Sequence, residues 1–255
     1  MNILVCVKQV PDDFVKVHLN SEGLPATEGI EKVVNAFDTY AVEMAVRLCE
    51  AHDGKVVVLT LGEEEAVRPS MVQMIAVGAK QAYIYKPSAL GDETSTASGL
   101  AEAIKKCEAA EGITFDLIMC GKESTDEISS QVGAMLSEKM GLGFVSSVVG
   151  VEPVEDGLKV QQETEEGFAY YQVACPAVVT VTKPEYDPRY PTLKSKMAAR
   201  KAVIPCDTVD VEAAAVICES YAEPAKREAG VKIQEKEAAE AVAKAMAILA
   251  EDKVL

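Results

Sequence analysis

Apolar runs of strand length alternate with helix-length amphipathic segments through the first half of the chain, and that alternation constrains the fold more than any other feature. The runs are "NILVCVK" (2–8), "KVVVLTL" (55–61), "AYIYK" (82–86) and "FDLIMCG" (115–121). They are almost continuously apolar. A strand covered on one face alternates apolar with polar, whereas a strand covered on both faces does not. Between the runs lie "DTYAVEMAVRLCEAH" (38–52), "EEEAVRPSMVQMIAVGA" (63–79) and "DETSTASGLAEAIKKCEAAEG" (92–112), each opening on acidic or hydroxyl residues as helix starts prefer. In the first, Val42, Ala45, Val46 and Cys49 form a stripe at helical spacing. The pattern predicts an α/β fold, a parallel sheet with helices on both faces.

The pattern then changes. "LKVQQETE" (158–165), "GFAYYQVAC" (167–175) and "AVVTVT" (177–182) read as strands with little but turns between them, an antiparallel extension of the sheet. Residues 183–203 are basic and carry Pro184, Pro188 and Pro191, so they start as a loop and turn helical near Leu193. Residues 204–255 show little strand pattern and end in "EKEAAEAVAKAMAILAE", an amphipathic helix. The expected division is an α/β domain over 1–203 and an arm with a helix over 204–255. Such an arm has little core of its own, so it either wraps around another chain or folds back on its own domain.

Composition removes several classes of function. A chain of 255 residues, 49% hydrophobic and without Trp, can bury a large aliphatic core. No run of about 18 apolar residues occurs, so no membrane span is expected. "MNILVCVKQV" lacks the basic flank of a signal peptide, and the seven cysteines are scattered singly without a CxxC. Neither a disulfide framework nor a zinc site is expected, and a cytoplasmic setting fits. The net charge of −16 disfavours nucleic acid and anionic membrane as partners. It leaves a nucleotide open, because backbone N–H groups at a helix start can hold a phosphate at any net charge.

In a parallel α/β sheet, ligands bind beyond the carboxyl ends of the strands. Those ends are "CVKQVPDD" (6–13), "TLGEEE" (60–65), "KPSALGDETSTA" (86–97) and "CGKESTDEISSQ" (120–131), joined by "VVNAFDTY" (33–40). All are rich in Asp, Ser, Thr and Gly. For any one loop, ordinary helix capping explains the composition; for the set on one rim, a nucleotide site explains it better. No GxxxxGK[ST], GxGxxG or SGGxDS motif occurs, and His18 and His52 lie far apart. With no nucleophile–base pair in view, the chemistry falls to a cofactor.

Four stretches carry a resemblance to the beta (small) subunits of electron transfer flavoproteins: "ILVCVKQVPD" (3–12), "VNAFDTYAVEMA" (34–45), "GKESTDEISSQVGAMLSEKMG" (121–141) and "PAVVTVTKPEYDPRYPTLKSKMAARK" (176–201). Departures from the family pattern fall at Gln162 and Ala169. The resemblance implies a Rossmann-like domain in a heterodimer with an electron transfer flavoprotein alpha subunit that holds a redox-active FAD. It also implies cofactor contacts at Cys6; at Asn35, Ala36, Phe37 and Asp38; at Thr60 and Leu61; and at Gly121, Lys122, Glu123, Ser124, Thr125, Asp126, Glu127, Ile128, Ser129, Ser130, Gln131 and Val132. The arm would pack on the alpha subunit.

Most members of the family hold AMP there. An electron-bifurcating branch holds a second FAD, which takes a hydride from NADH and sends one electron toward an acyl-CoA dehydrogenase and one toward a low-potential acceptor, ferredoxin or flavodoxin. "GDETSTA" (91–97) is similar to that branch's Gly-Asp-Thr loop and implies further contacts at Asp92 and Thr94. "VPDD" (10–13) resembles its Pro-Asp-Thr, with Asp13 in place of Thr. The opposing reading of 91–97 is a plain helix cap. "YDPRYPTLKSKMAARK" resembles the family's recognition loop, in which Leu193 would plug into a pocket of the partner dehydrogenase.

Overall fold

The computed structural model describes residues 1–226 and 229–254; residues 227, 228 and 255 of the arm lie outside the described residues. One nine-stranded sheet organises the chain. From one edge inward it runs β11 (Cys206–Val209), β5 (Gln81–Pro87), β4 (Lys55–Leu61), β1 (Asn2–Cys6), β6 (Leu117–Gly121), β10 (Ala177–Val181) and β7 (Gly143–Val154), all neighbours parallel. β8 (Gly157–Thr164) and β9 (Gly167–Val173) continue it antiparallel. β2 (Gln9–Pro11) and β3 (Lys32–Val34) pair as a separate small ribbon.

The expected two-sided cover is present. Ile3 and Val5 of β1 join one cluster with α1 (Ala36–Ala51) and α2 (Glu64–Ala76). Leu4 and Cys6 face the opposite cluster, built on α3 (Glu93–Glu111) and α4 (Val132–Met140). Alternate residues of one strand therefore serve two cores, which is why its sequence is continuously apolar. A short helix, α5 (Leu193–Ala199), packs beside α2, and α6 (Ala238–Glu251) has no buried residue. Between β11 and α6 no described residue belongs to a helix or strand.

Two expectations need correction. β10 is not part of the antiparallel extension; it lies between β6 and β7, parallel to both. All five of its residues are buried, and that continuous burial outweighs the short connection that suggested a hairpin. The antiparallel pairing belongs to β7, β8 and β9. Within 204–255, Cys206–Val209 adds an edge strand beside β5; four residues, mostly exposed, give almost no strand pattern to read.

Candidate functional site

From β1 the chain returns through α1 to β4 on one side, and β6 lies on the other side of β1. Connections leave in opposite directions at this point, the place where open α/β sheets bind ligands. A cleft of about 310 Å³ opens there. Its floor is apolar, made of Cys6, Leu61, Leu100 and Cys120. Lys8, Asn35 and Asp38 form one wall, the 90–92 turn with Thr96 a second, and residues 121–124, 127 and 129–133 a third. The Cys6 thiol is pushed well up, first by hydrogen bonding with Cys120 and then by burial, so it stays protonated.

The α1 start holds the rim together. Asp38 Oδ2 accepts from the Lys8 backbone N–H at 2.7 Å, and Oδ1 accepts from the Gly121 backbone N–H at 3.0 Å. One carboxylate thus ties the ends of β1 and β6. Burial raises its pKa to about 7 against the pull of these bonds. Asn35 donates from Nδ2 to the Glu123 carbonyl (2.8 Å) and accepts at Oδ1 from the Thr125 N–H (3.1 Å). A Cβ on Gly121 would sit 2.3 Å from Asp38 Oδ1, so the latch requires glycine.

The 121–132 loop then climbs to α4. Ile128 and Ser130 have φ of 54° and 55°, a left-handed conformation uncommon outside glycine. No side chain caps α4 at Gln131, its first N–H groups have no intrahelical partner, and Val132 and Gly133 at that start line the cleft. Thr125 Oγ1 is buried and has no hydrogen-bond partner among the described residues, a rare condition. Lys8 Nζ reaches Ser124 Oγ at 3.2 Å, Asp126 Oδ1 at 2.9 Å and Glu127 Oε2 at 3.0 Å. Burial pulls its pKa down, but the two carboxylates outweigh burial and keep the ammonium charged. An uncapped helix start beside an ammonium suits a phosphate. The carboxylates around the cleft are occupied: Glu123 accepts from Ser130 Oγ, and Glu127 pairs with Lys8.

Asp92 caps α3, accepting from Ser95 N–H at 2.8 Å in a capping box. Its other oxygen accepts from Ala215 N–H (2.7 Å) and Val216 N–H (3.0 Å), which fastens the arm to the cleft edge. The Ser95 bond, followed by those from the arm, holds the carboxyl down at about 2.

Among the residues expected from sequence, the cleft gathers Cys6, Asn35, Asp38, Leu61, Asp92, Gly121, Lys122, Glu123, Ser124, Glu127, Ser129, Ser130, Gln131 and Val132. Ala36, Phe37, Thr60, Thr94, Thr125, Asp126 and Ile128 are not in its lining. Thr60 alternates away from Leu61 toward the α1–α2 face. Val7, Lys8, Leu90, Gly91, Thr96 and Cys120 also line the cleft, inside the strand-end stretches though not singled out there, as does Gly133 at the α4 start; Leu100 lies outside all of those stretches. Lys8 was detectable as the basic residue at the end of the first strand. Gly133 serves packing: a Cβ there would meet Thr180 Cγ2 at 2.2 Å.

Leu193 lies outside the cleft. It opens α5, capped by Thr192, whose Oγ1 accepts from Ser195 N–H at 3.1 Å. The preceding segment is bound to α1 through Arg189, which reaches Glu43 and Glu50.

Among the described residues no cluster of three or more His, Cys, Asp or Glu could hold a metal ion, and no helix is long and apolar enough to cross a membrane. The model of the electron transfer flavoprotein domain matches residues 24–214. The electron transfer flavoprotein subunit beta of Megasphaera elsdenii is 36% identical over 226 residues, covering 85% of this chain and 80% of the relative. The caffeyl-CoA reductase–Etf complex subunit CarD of Acetobacterium woodii is 30% identical, covering 78% and 75%. The acryloyl-CoA reductase electron transfer subunit gamma of Anaerotignum propionicum is 30% identical, covering 77% and 73%. With the matched domain spanning most of the α/β sheet and the rim cleft, the chain belongs to the electron transfer flavoprotein family, among its beta subunits.

Proposed function

We propose that this chain binds FAD in the rim cleft and, with an alpha subunit, takes part in NADH-driven electron bifurcation toward an acyl-CoA dehydrogenase and a low-potential acceptor, ferredoxin or flavodoxin. The observation that carries the nucleotide is the uncapped start of α4 beside Lys8 at the β1–β6 switch point. The relatives named for caffeyl-CoA and acryloyl-CoA reductases support an acyl-CoA partner. FAD supplies hydride acceptance and single-electron transfer when bound. The chain's own residues bind and orient: the α4 N–H groups and Lys8 hold phosphate, Cys6, Leu61 and Leu100 exclude water, and Asp38 and Asn35 fix the loop.

Residues 204–255 act as an arm on the alpha subunit. Exposed Val231, Val242 and Met246 fit that role, as does an α6 with no buried residue. The setting is cytoplasmic, in keeping with seven unpaired cysteines.

AMP as a purely structural ligand is the second reading, and two observations favour it. Both oxygens of Asp92 are engaged within the chain, and 310 Å³ lies at the small end of ligand clefts, about 300–1,000 Å³. Under the FAD reading, the cleft takes the AMP half and the flavin half extends beyond it. The visible spectrum and acid-released nucleotides of the purified heterodimer decide between them. Two flavins per heterodimer support bifurcation, whereas one flavin plus AMP overturns it.

A further inference from the structure

The first part of the arm stays on its own domain. Val211 N–H donates to Ser88 Oγ at 3.3 Å and Glu212 N–H to Ser98 Oγ at 2.8 Å. The Glu212 carboxylate pairs with Lys139 of α4 at 2.7 Å. A Cβ on Gly91 would come 2.9 Å from Ala214 Cβ, and Asp92 takes the next two N–H groups, those of Ala215 and Val216. Further on, Glu223 Oε1 lies 3.1 Å from His18 Nδ1. Hydrogen bonding with His18, and then with the Leu19 backbone N–H, holds the Glu223 carboxyl below its usual range. His18 and Leu19 belong to the β2–β3 connection, which continues from the Lys8 wall of the cleft. Between the two fastenings stands Tyr221. Its hydroxyl is pushed up first by hydrogen bonding with Cys218, and the charge of Glu127 adds a smaller push. The arm therefore runs from Asp92 on the second wall, within range of Glu127 on the third, to the extension of the first.

We infer that residues 216–223 form a strap over the mouth of the rim cleft, hinged at Asp92 and clasped at His18, that sets how fast a nucleotide enters and leaves. The inference rests on the nucleotide reading above and adds the gating of that site. The two fastenings differ in strength. At the hinge, one carboxylate oxygen takes two backbone N–H groups, and the bonds at Val211 and Glu212 back it up. The clasp is one pair of side chains, 59% and 48% exposed, and such pairs add little stability. The clasp therefore opens first, and the strap turns about Asp92. None of the described residues 216–223 lines the cleft, so opening the clasp leaves the walls as they are. A strap that makes no bond to the nucleotide acts on the barrier and not on the affinity: it slows entry and release alike.

The test uses the purified heterodimer and isotope-labelled AMP in large excess, because AMP and FAD would present the same half to the cleft. Rapid desalting followed by acid release gives the loss of the original nucleotide and the uptake of label over time. Glu223→Ala and His18→Ala should each speed the loss about three- to fivefold, the scale of one exposed pair. Both should keep the nucleotide content at equilibrium within about twofold of wild type. His18→Cys/Glu223→Cys in a Cys218→Ser background, bridged by a bifunctional thiol reagent with a reducible link, should lose nucleotide about tenfold more slowly, and reductant should restore the rate. Loss at the wild-type rate in both the opened and the bridged proteins overturns the strap and leaves the nucleotide reading standing. Faster loss in Glu223→Ala with the equilibrium content falling in proportion makes Glu223 a ligand contact and overturns the gate. A heterodimer that releases no nucleotide on acid denaturation and takes up no AMP overturns both.

Discussion

Arg189 holds Glu43 with its backbone and its side chain together: its N–H lies 3.1 Å from Glu43 Oε2, and its Nε lies 2.8 Å from the same oxygen. Arg47 approaches Glu43 Oε1 at 2.6 Å and stacks over Tyr186, 4.1 Å from the ring centroid. Glu43 is 2% exposed. An irregular, proline-containing segment is thereby fixed to a long helix whose other end latches the cleft.

Arg189→Gln should destabilise the chain by about 3 kcal/mol, at the low end for a broken buried pair because Arg47 still faces Glu43. Burial pushes the Glu43 carboxyl up, but the bonds from Arg189 and Arg47 outweigh it and hold the pKa below its usual value of 4.5. Stability from a depressed carboxyl is present above its unfolded pKa and is lost as pH falls through the folded one. In urea unfolding, the gap between wild type and variant should therefore be constant at neutral pH and narrow below about pH 4.5. A gap that persists to pH 3 would remove the ionic account of this clamp.

Asp38 shows the opposite sign. Its folded pKa is raised to about 7 by burial, so its contribution is intact below the unfolded value and is lost as pH rises to about 7. Relative to Asp38→Asn, wild type should lose stability across that window, with a slope approaching about 1.4 kcal/mol per pH unit. Above about pH 8 the difference should level off. Paired unfolding curves at several pH values measure it, and a flat difference would place the titration elsewhere.

Gly133→Ala should cost about 1–3 kcal/mol by overpacking, because the new methyl would meet Thr180 Cγ2. Thr180→Ser deletes that carbon and keeps the Oγ1 that accepts from Ser147 N–H at 3.3 Å. In thermal unfolding the double variant should recover most of the loss. No recovery would mean that α4 is displaced for another reason.

Ser130→Asp and Ser130→Asn both tolerate the left-handed backbone at this position, and they differ by one charge. Asp should deplete the bound nucleotide at least tenfold, since like charges repel at the α4 start, while Asn should retain most of it. Nucleotide released on acid denaturation of the heterodimer gives the ratio. Equal retention would move the phosphates away from Ser130.

How much the sequence reveals depends on which contacts define a feature. The run 55–61 coincides with β4 because a strand buried on both faces writes that burial into consecutive residues. β10 has the same signature, but its neighbours are set by a return across the sheet that no local pattern records. At the site, the strand-end rule leads to Asn35, Asp38 and the 121–132 loop. It includes Lys8 in the 6–13 stretch without singling it out, because its partners Asp126 and Glu127 come near only where β6 lies beside β1. Asp92 shows the reverse case. Composition offers a ligand, while the folded chain engages both oxygens, one in a helix cap and one in the arm.

That division of one carboxylate gives the arm a fixed point of departure. The chain is pinned at Ala215 and Val216 and held again at Glu223, whose Oε1 lies 3.1 Å from His18 Nδ1. The first contact decides where the arm leaves the mouth of the cleft, and the second steers it past the loop that carries His18. A pull on the arm that broke the exposed His18–Glu223 pair would next draw on the same carboxylate that caps α3, so the start of that helix would feel it.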